Sequence, residues 1–333
     1  MAHWPPAGSG DAWTSVDRTT GNLAVVVNPR VLHGPTAGLW EQALARLTQC
    51  GAVECLHTSG DGADGDRIAA LLAARPAMLI AAGGDGTVHE AVVACVAAGA
   101  PSAVAILPLG TANNVARSLG LPAVRAGHPE ALERVLAAII DGADRPIDLG
   151  CVGAHVFIGS FAAGMDGVIL ADRNRWRRRW RLGPRAGGYA LYLLSCAVNL
   201  ARHRAVDASL SADGVPWQGP IYDLLVTNTA LYAGEFRFDD ADHSGDGRLD
   251  LHVFRTAADY VRAFVTAWRR HLRRERGGPV EPPPHLRRDT RVDATLSRSL
   301  PCQLDGEEGA PADHYAVRVV PHAIRVRVPR AEN

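Results

Sequence analysis

The chain contains no lysine, and all 35 of its basic residues are arginine. This excludes a phosphate loop of the GxxxxGK[ST] type, a protein-kinase glycine loop that works with a strand lysine, and any lysine Schiff base. Its six cysteines show no CxxC spacing, Cys50 and Cys55 being the only close pair. With no secretory signal at the N-terminus, the expected compartment is the reducing cytoplasm. Long apolar runs are missing too. The uncharged apolar stretch Ala186 to Ala201 is too short for an ordinary membrane span, which leaves peripheral membrane contact open. Net charge is zero and names no partner. Its distribution is uneven, with 9 Arg against 14 Asp and Glu in 1–148, and 26 Arg against 21 Asp and Glu in 149–333.

What the chain does have is an ordered alternation. Residues 1–20 are rich in Pro, Gly, Ser, Thr and Asp and read as a flexible arm. Apolar strand-like runs follow at Leu23–Val27, Val53–Thr58, Ala77–Ala82 and Ala103–Leu107. Helical patterns lie between and after them, at Leu39–Leu47, Arg67–Ala74, from Thr87, from Asn113 and at Pro129–Ile140. Strands and helices at this spacing predict an α/β domain with a parallel, Rossmann-like sheet over about 21–145. Past residue 145 the pattern changes to short runs separated by turns: Pro146–Val152, Val156–Phe161, Val206–Leu210, Ile221–Asn228, Leu249–Phe254, Arg291–Leu296 and Tyr315–Val328. Helical segments interrupt near 188–201 and 259–272. The expected second domain, 146–317, is a mainly antiparallel β-sandwich.

Two turns carry the chemistry. In AAGGDGTVHE, 81–90, a buried run ends in glycines and an aspartate before a helix. Such a turn lets phosphates approach backbone N–H groups at a helix N-terminus. The dinucleotide pattern GxGxxG fails, because His89 stands where the last glycine belongs. An acidic residue inside a phosphate turn favours a Mg²⁺–nucleotide over a bare anion. Glycine turns also simply join strands to helices. ILPLGTANNVARSLG, 106–120, repeats the logic one unit later, with Thr111 and Asn113 at the start of its helix.

GGDGTVHE at 83–90 together with PLGTANNVARSLG at 108–120 resembles the bacterial diacylglycerol kinase-like lipid kinases, relatives of sphingosine and ceramide kinases and, distantly, of NAD kinases. Asn28-Pro29 and Thr58 at strand ends, SGDGRLD at 244–250 and QLDGE at 303–307 extend the resemblance over about 22–329. It implies a lipid kinase using ATP and Mg²⁺, with ATP in a cleft between the two domains and a C-terminal return to the first at about 318–333. Diacylglycerol leads as substrate, followed by phosphatidylglycerol and sphingoid bases. The nucleotide residues implied are Asn28, Thr58, Gly83, Gly84, Asp85, Gly86, Thr87, Val88, His89, Glu90, Gly110, Thr111 and Asn113. The implied base is Asp305 or Glu307, with Asp85 a further candidate. A structural Mg²⁺ is implied at Asp246 and the carbonyls of His243 and Arg248. Asn114 departs from the Asn-Asp pair frequent in the family. The rival readings are an NAD kinase and a catalytically silent nucleotide- or lipid-binding regulator.

RNRWRRRWRLGPR, 173–185, holds seven Arg and two Trp. Arginine with tryptophan suits an anionic membrane interface. A solvated helix face and an oligomer contact such as a homodimer are the plainer readings, and with no nucleic-acid module in the chain a nucleic-acid partner is not expected.

Overall fold

The computed structural model describes residues 22–180, 188–239, 243–276 and 287–330. The arm at 1–20 and the last part of the arginine run, 181–185, lie outside the described residues. The chain forms two compact units. The first comprises Met1–Leu149, Asp242–Gly247 and Val320–Asn333, and the second Gly150–Ala241 and Arg248–Val319.

In the first unit, β1 (Leu23–Val27), α1 (Ala37–Thr48), β2 (Val53–His57), α2 (Asp64–Ala73), β3 (Met78–Gly83), α3 (Asp85–Ala97), β4 (Ala103–Pro108), α4 (Asn114–Ser118) and α5 (Pro129–Asp141) alternate as the sequence predicts. β5 (Ala143–Val152) then leads into the second unit. Every residue of β1, β3 and β4 is buried, the near-continuous apolar pattern of strands covered on both faces. The registers β2–β1–β3–β4 are all parallel. α1 presents Leu39, Trp40, Ala43 and Leu47 inward and packs against α5, while α2 packs against α3. β4's other neighbour comes from near the far end of the chain, Val326 beside Val104.

The second unit contains β6 (His155–Phe157), β7 (Ser160–Gly164), α6 (Met165–Arg179), α7 (Gly188–Arg202), β8 (Val206–Ala212), β9 (Val215–Ile221), β10 (Asp223–Thr227), β11 (Leu231–Tyr232), β12 (Phe236–Arg237), β13 (Leu249–Phe254), α8 (Ala257–Glu275), β14 (Arg287–Asp289) and β15 (Arg291–Leu304). β16 (Glu307–Val328) starts here and ends in the first unit. Pairing is antiparallel throughout, along β14–β13–β10–β7–β15–β16, with β8 and β9 added beside β15. Alternation splits its side chains between two cores. Phe161, Leu224, Val226, Leu249 and Leu251 join Leu210 and Val292 in one cluster. Ala162, Leu225 and Phe254 face the helices, meeting Met165 and Ile169 of α6 and Tyr260 and Phe264 of α8.

Three features differ from the sequence reading. The run Val156–Phe161 is two strands, and Ile221–Asn228 spans the end of β9 and all of β10. The arginine run does lie on a helix, α6, one of the readings the sequence offered, and the buried apolar residues Met165, Ile169 and Leu170 of that helix sit in its first half. Segment 243–247 groups with the first unit because Asp148 holds it there: the Asp148 N–H donates to the Ser244 carbonyl at 2.6 Å, and its carboxylate accepts from the Gly247 N–H at 2.6 Å and the His322 N–H at 2.8 Å.

Candidate active site

In the first unit the chain leaves β1 sideways to β2 and then returns on the other side as β3. Ligands of open α/β sheets bind outside the carboxyl ends of strands at such a reversal. Asn28 follows β1 and Gly83 ends β3, one on each side of it. Thr58 follows β2, its N–H donating to the Val27 carbonyl at 2.9 Å.

The two glycine turns abut. A Cβ built on Gly110 would lie 2.3 Å from the Gly84 Cα, and one on Gly83 would lie 2.3 Å from Thr87 Oγ1. The Gly83 carbonyl accepts the N–H groups of both Leu109 and Gly110, at 3.0 Å each. Asn113 supports the second turn. It sits at φ 50°, the left-handed region Asn tolerates, and is buried. Its amide donates to the Pro108 and Gly110 carbonyls at 3.1 and 2.9 Å, and its Oδ1 accepts from the Gly110 N–H. Gly84 caps α3 and has no side chain, so no capping side chain covers the start of that helix. A helix start of this kind can receive phosphate oxygens.

Asp85 occupies the first turn of α3. One carboxylate oxygen accepts from the Val115 N–H at 3.2 Å and the other from Asn114 Nδ2 at 3.3 Å. An aspartate at 114 would set two carboxylates against each other, whereas the amide found here donates to Asp85. Asn28 joins the turn by donating to Thr87 Oγ1 at 3.4 Å while its own Oδ1 accepts from the Arg30 N–H. Thr87 and Val88 are buried, and the Val88 N–H is bonded to the Gly84 carbonyl. Gly86 is half-buried, His89 and Glu90 are half-buried further along α3, and Thr111 is exposed beside Gly110. The turn after β2 was not foreseen. Asp64 accepts from the N–H groups of Ser59 and Gly60 and from Arg67, which folds that loop next to Thr58.

These residues fit a nucleotide with its divalent cation, which Asp85, in the first turn of α3, would help to hold. Among the described residues no three His, Cys, Asp or Glu side chains gather as a metal site. In the 243–247 loop, the His243 carbonyl accepts the Asp246 N–H at 3.1 Å, and the His243 ring lies 3.9 Å from the Asp246 carboxylate. Buried Asp148, absent from the sequence reading, underlies this loop. Burial raises its carboxyl above the usual range, the Asp246 charge adds to that, and the two N–H bonds oppose it. Arg248 opens the return into the second unit and donates to the Arg288 carbonyl at 3.3 Å.

In the second unit Asp305 and Gly306 form the two-residue turn between β15 and β16, both with positive φ, 49° and 84°. Asp305 is pinned: its carboxylate accepts the N–H groups of Ile158, Gly159 and Ser160 at 2.8–2.9 Å. Glu307 is exposed, with Arg173 as a charged neighbour. A buried network runs inward from the hairpin. The Gly306 N–H donates to Gln303 Oε1 at 2.7 Å, Gln303 Nε2 to the Tyr232 hydroxyl at 3.4 Å, and that hydroxyl to Asp166 at 2.8 Å. Tyr260 of α8 also donates to Asp166, whose own N–H donates to Asp223 at 3.1 Å. Burial first, and the Asp166 charge second, push the Asp223 carboxyl well above its ordinary range.

Folding therefore takes up a proton at Asp223. The stability from this group is full below the unfolded-chain value of about 3.9 and is lost as pH rises through the raised folded value. Asp223→Asn is expected to flatten the decline of Tm with pH above about 4. Thermal melts from pH 4 to 8 check this, and an unchanged slope would place the proton elsewhere.

A parallel sheet with two abutting glycine turns at its strand ends is an α/β architecture suited to phosphate binding, and comparison with known proteins makes the class specific. A family model for the diacylglycerol kinase catalytic domain matches residues 22–152. A Pseudomonas aeruginosa protein named "Probable lipid kinase YegS-like" is 30% identical over 305 residues, covering 90% of this chain and 93% of its own. A protein of Bacillus subtilis named "Diacylglycerol kinase" is 28% identical over 313 residues, covering 90% of this chain and 96% of its own. A crystal structure of a diacylglycerol kinase from Bacillus anthracis shares the fold with a TM-score of 0.68 at 15% identity, covering 92% of this chain and 96% of that one. The chain belongs to the diacylglycerol kinase-like lipid kinase family. It is a phosphotransferase with an alcohol acceptor.

Proposed function

We propose that the protein transfers the γ-phosphoryl group of ATP, bound with Mg²⁺, to the hydroxyl of diacylglycerol, yielding phosphatidic acid. The observation that carries this reading is the abutment of the Gly84 and Gly110 turns with Asp85 between them and α4. The N–H groups at the start of α3 hold the phosphates, and Asp85 orders the cation and its water. A bond forms from the lipid hydroxyl oxygen to the γ-phosphorus as the bond to the β–γ bridging oxygen breaks. Glu307 takes the hydroxyl proton, while Asp305 shapes the hairpin that presents it. Arg178 and Asn174 of α6 reach Glu308 in that hairpin, at 3.8 and 3.1 Å, so the basic half of α6 borders the base. This supports a peripheral position on an anionic inner membrane face.

ADP release is to be measured with diacylglycerol, phosphatidylglycerol, a sphingoid base and NAD⁺ as acceptors, with and without Mg²⁺. Diacylglycerol-dependent, Mg²⁺-dependent turnover is expected. Turnover on NAD⁺ alone, or on no acceptor, would overturn the reading. In the same assay Asp85→Asn, which still accepts the Val115 N–H, is expected to lower kcat on the order of 10²–10³-fold with Tm unchanged. Full activity in that variant would remove Asp85 from the chemistry.

A further inference from the structure

A helix at a protein surface needs one apolar stripe, and α8 has two. Tyr260, Phe264, Ala267 and His271 form the first and are buried against the second unit's sheet. One residue further round, Val261, Val265 and Trp268 repeat the i, i+4, i+7 spacing and are 42%, 39% and 43% exposed. Leu272 continues the stripe, half-buried. Beyond it Arg262, Arg269 and Arg273 follow the same spacing, all exposed. The helix carries five Arg against two carboxylates, Asp259 and Glu275. Its start is fixed by a capping box in which Thr256 and Asp259 exchange hydrogen bonds at 3.1 and 3.2 Å. Trp180 and the α7 residues Leu193, Leu194 and Leu200 are the other strongly exposed apolar side chains of this helical layer.

The geometry points to α8 as a bilayer-docking helix, its Val261–Val265–Trp268 stripe lying in the acyl–headgroup boundary of an anionic membrane while Arg262, Arg269 and Arg273 reach the phosphates. The inference rests on the lipid-kinase reading, which requires the protein to meet a substrate that stays in the bilayer. Charge selects the occupant. A second copy laid on this face would set arginine against arginine, whereas anionic headgroups neutralise it. An apolar stripe edged by long cationic side chains is the form of an interfacial helix, because their stems lie along apolar surface while the charged ends remain wet.

The test is co-sedimentation of the full chain with vesicles of phosphatidylglycerol and phosphatidylcholine, or of phosphatidylcholine alone. Wild type is expected to bind the anionic vesicles, more weakly as salt rises. Trp268→Ala and Val265→Ser are each expected to weaken that binding about tenfold, with an unchanged melting temperature. Arg269→Gln with Arg273→Gln, which leaves the apolar stripe intact, is expected to remove the preference for anionic vesicles. Turnover on a short-chain diacylglycerol dissolved as monomer should survive in all three, because it needs no membrane. Equal vesicle binding by wild type and variants, or no binding by wild type, would overturn the docking role. A dimer that Trp268→Ala dissociates would reassign the stripe to self-association. Because sedimentation requires no catalysis, inactivity on every diacylglycerol together with intact vesicle binding would defeat the substrate reading and leave the docking one standing.

Discussion

Glu307→Gln is expected to lower kcat by about 10²- to 10⁴-fold, with nucleotide affinity and Tm close to wild type. Glu307 is exposed, so on the proposed role its loss is expected to fall on proton removal in the chemical step rather than on stability. Asp305→Asn should behave in the opposite way. It disturbs an acceptor of three backbone N–H groups, and leaving any one of them unmet costs about 1–3 kcal/mol. Its activity loss should therefore follow its loss of stability. Single-turnover rates, nucleotide titration and melting curves on both variants separate the cases. A stable Asp305→Asn enzyme with no chemistry, beside a fully active Glu307→Gln enzyme, would exchange the two roles.

Gly110→Ala is expected to destabilise the protein by about 1–3 kcal/mol and to weaken nucleotide binding more than tenfold. Its Cβ would fall 2.3 Å from the Gly84 Cα and 2.7 Å from Asn113 Oδ1. The nearest of these obstacles is backbone, so no rotamer change relieves the contact, and the two phosphate turns must separate. Gly65 is the control. It lies in α2 with nothing within 4 Å of a built Cβ, and Gly65→Ala should be neutral or stabilising by up to about 1 kcal/mol. Wild-type melting and nucleotide affinity in Gly110→Ala would show that the abutment is not needed.

Much of this architecture was legible because parallel strands buried on both sides are short apolar runs, and the runs at 23–27, 78–82 and 103–107 have few other readings. β9 was not legible. VPWQGPI carries two prolines and a glycine and is largely uncovered, so its pairing with β8 appears only in three dimensions. α6 was legible only as one reading of its arginine run, because the arginines erase the apolar period over half its length. The glycine turns could be found because local chemistry dictates them. The supports could not: Asp148 meets residues 99 and 174 positions away, and the Asp166 network gathers residues from 166 to 306. Asn113 stood out as a residue of the turn, but its service to the turn's own carbonyls required coordinates.

The pairing of Val326 with Val104 has a consequence for synthesis. A ribosome adds about 5–20 residues per second, so the strand that covers β4's edge emerges some 10–45 seconds after β4 itself. During that interval the nascent nucleotide unit has a fully apolar strand with an open row of N–H and carbonyl groups, a template for pairing with another nascent chain. Newly made protein should therefore be most prone to aggregate before translation ends, and chains stopped short of residue 320 should require a chaperone that the finished protein does not.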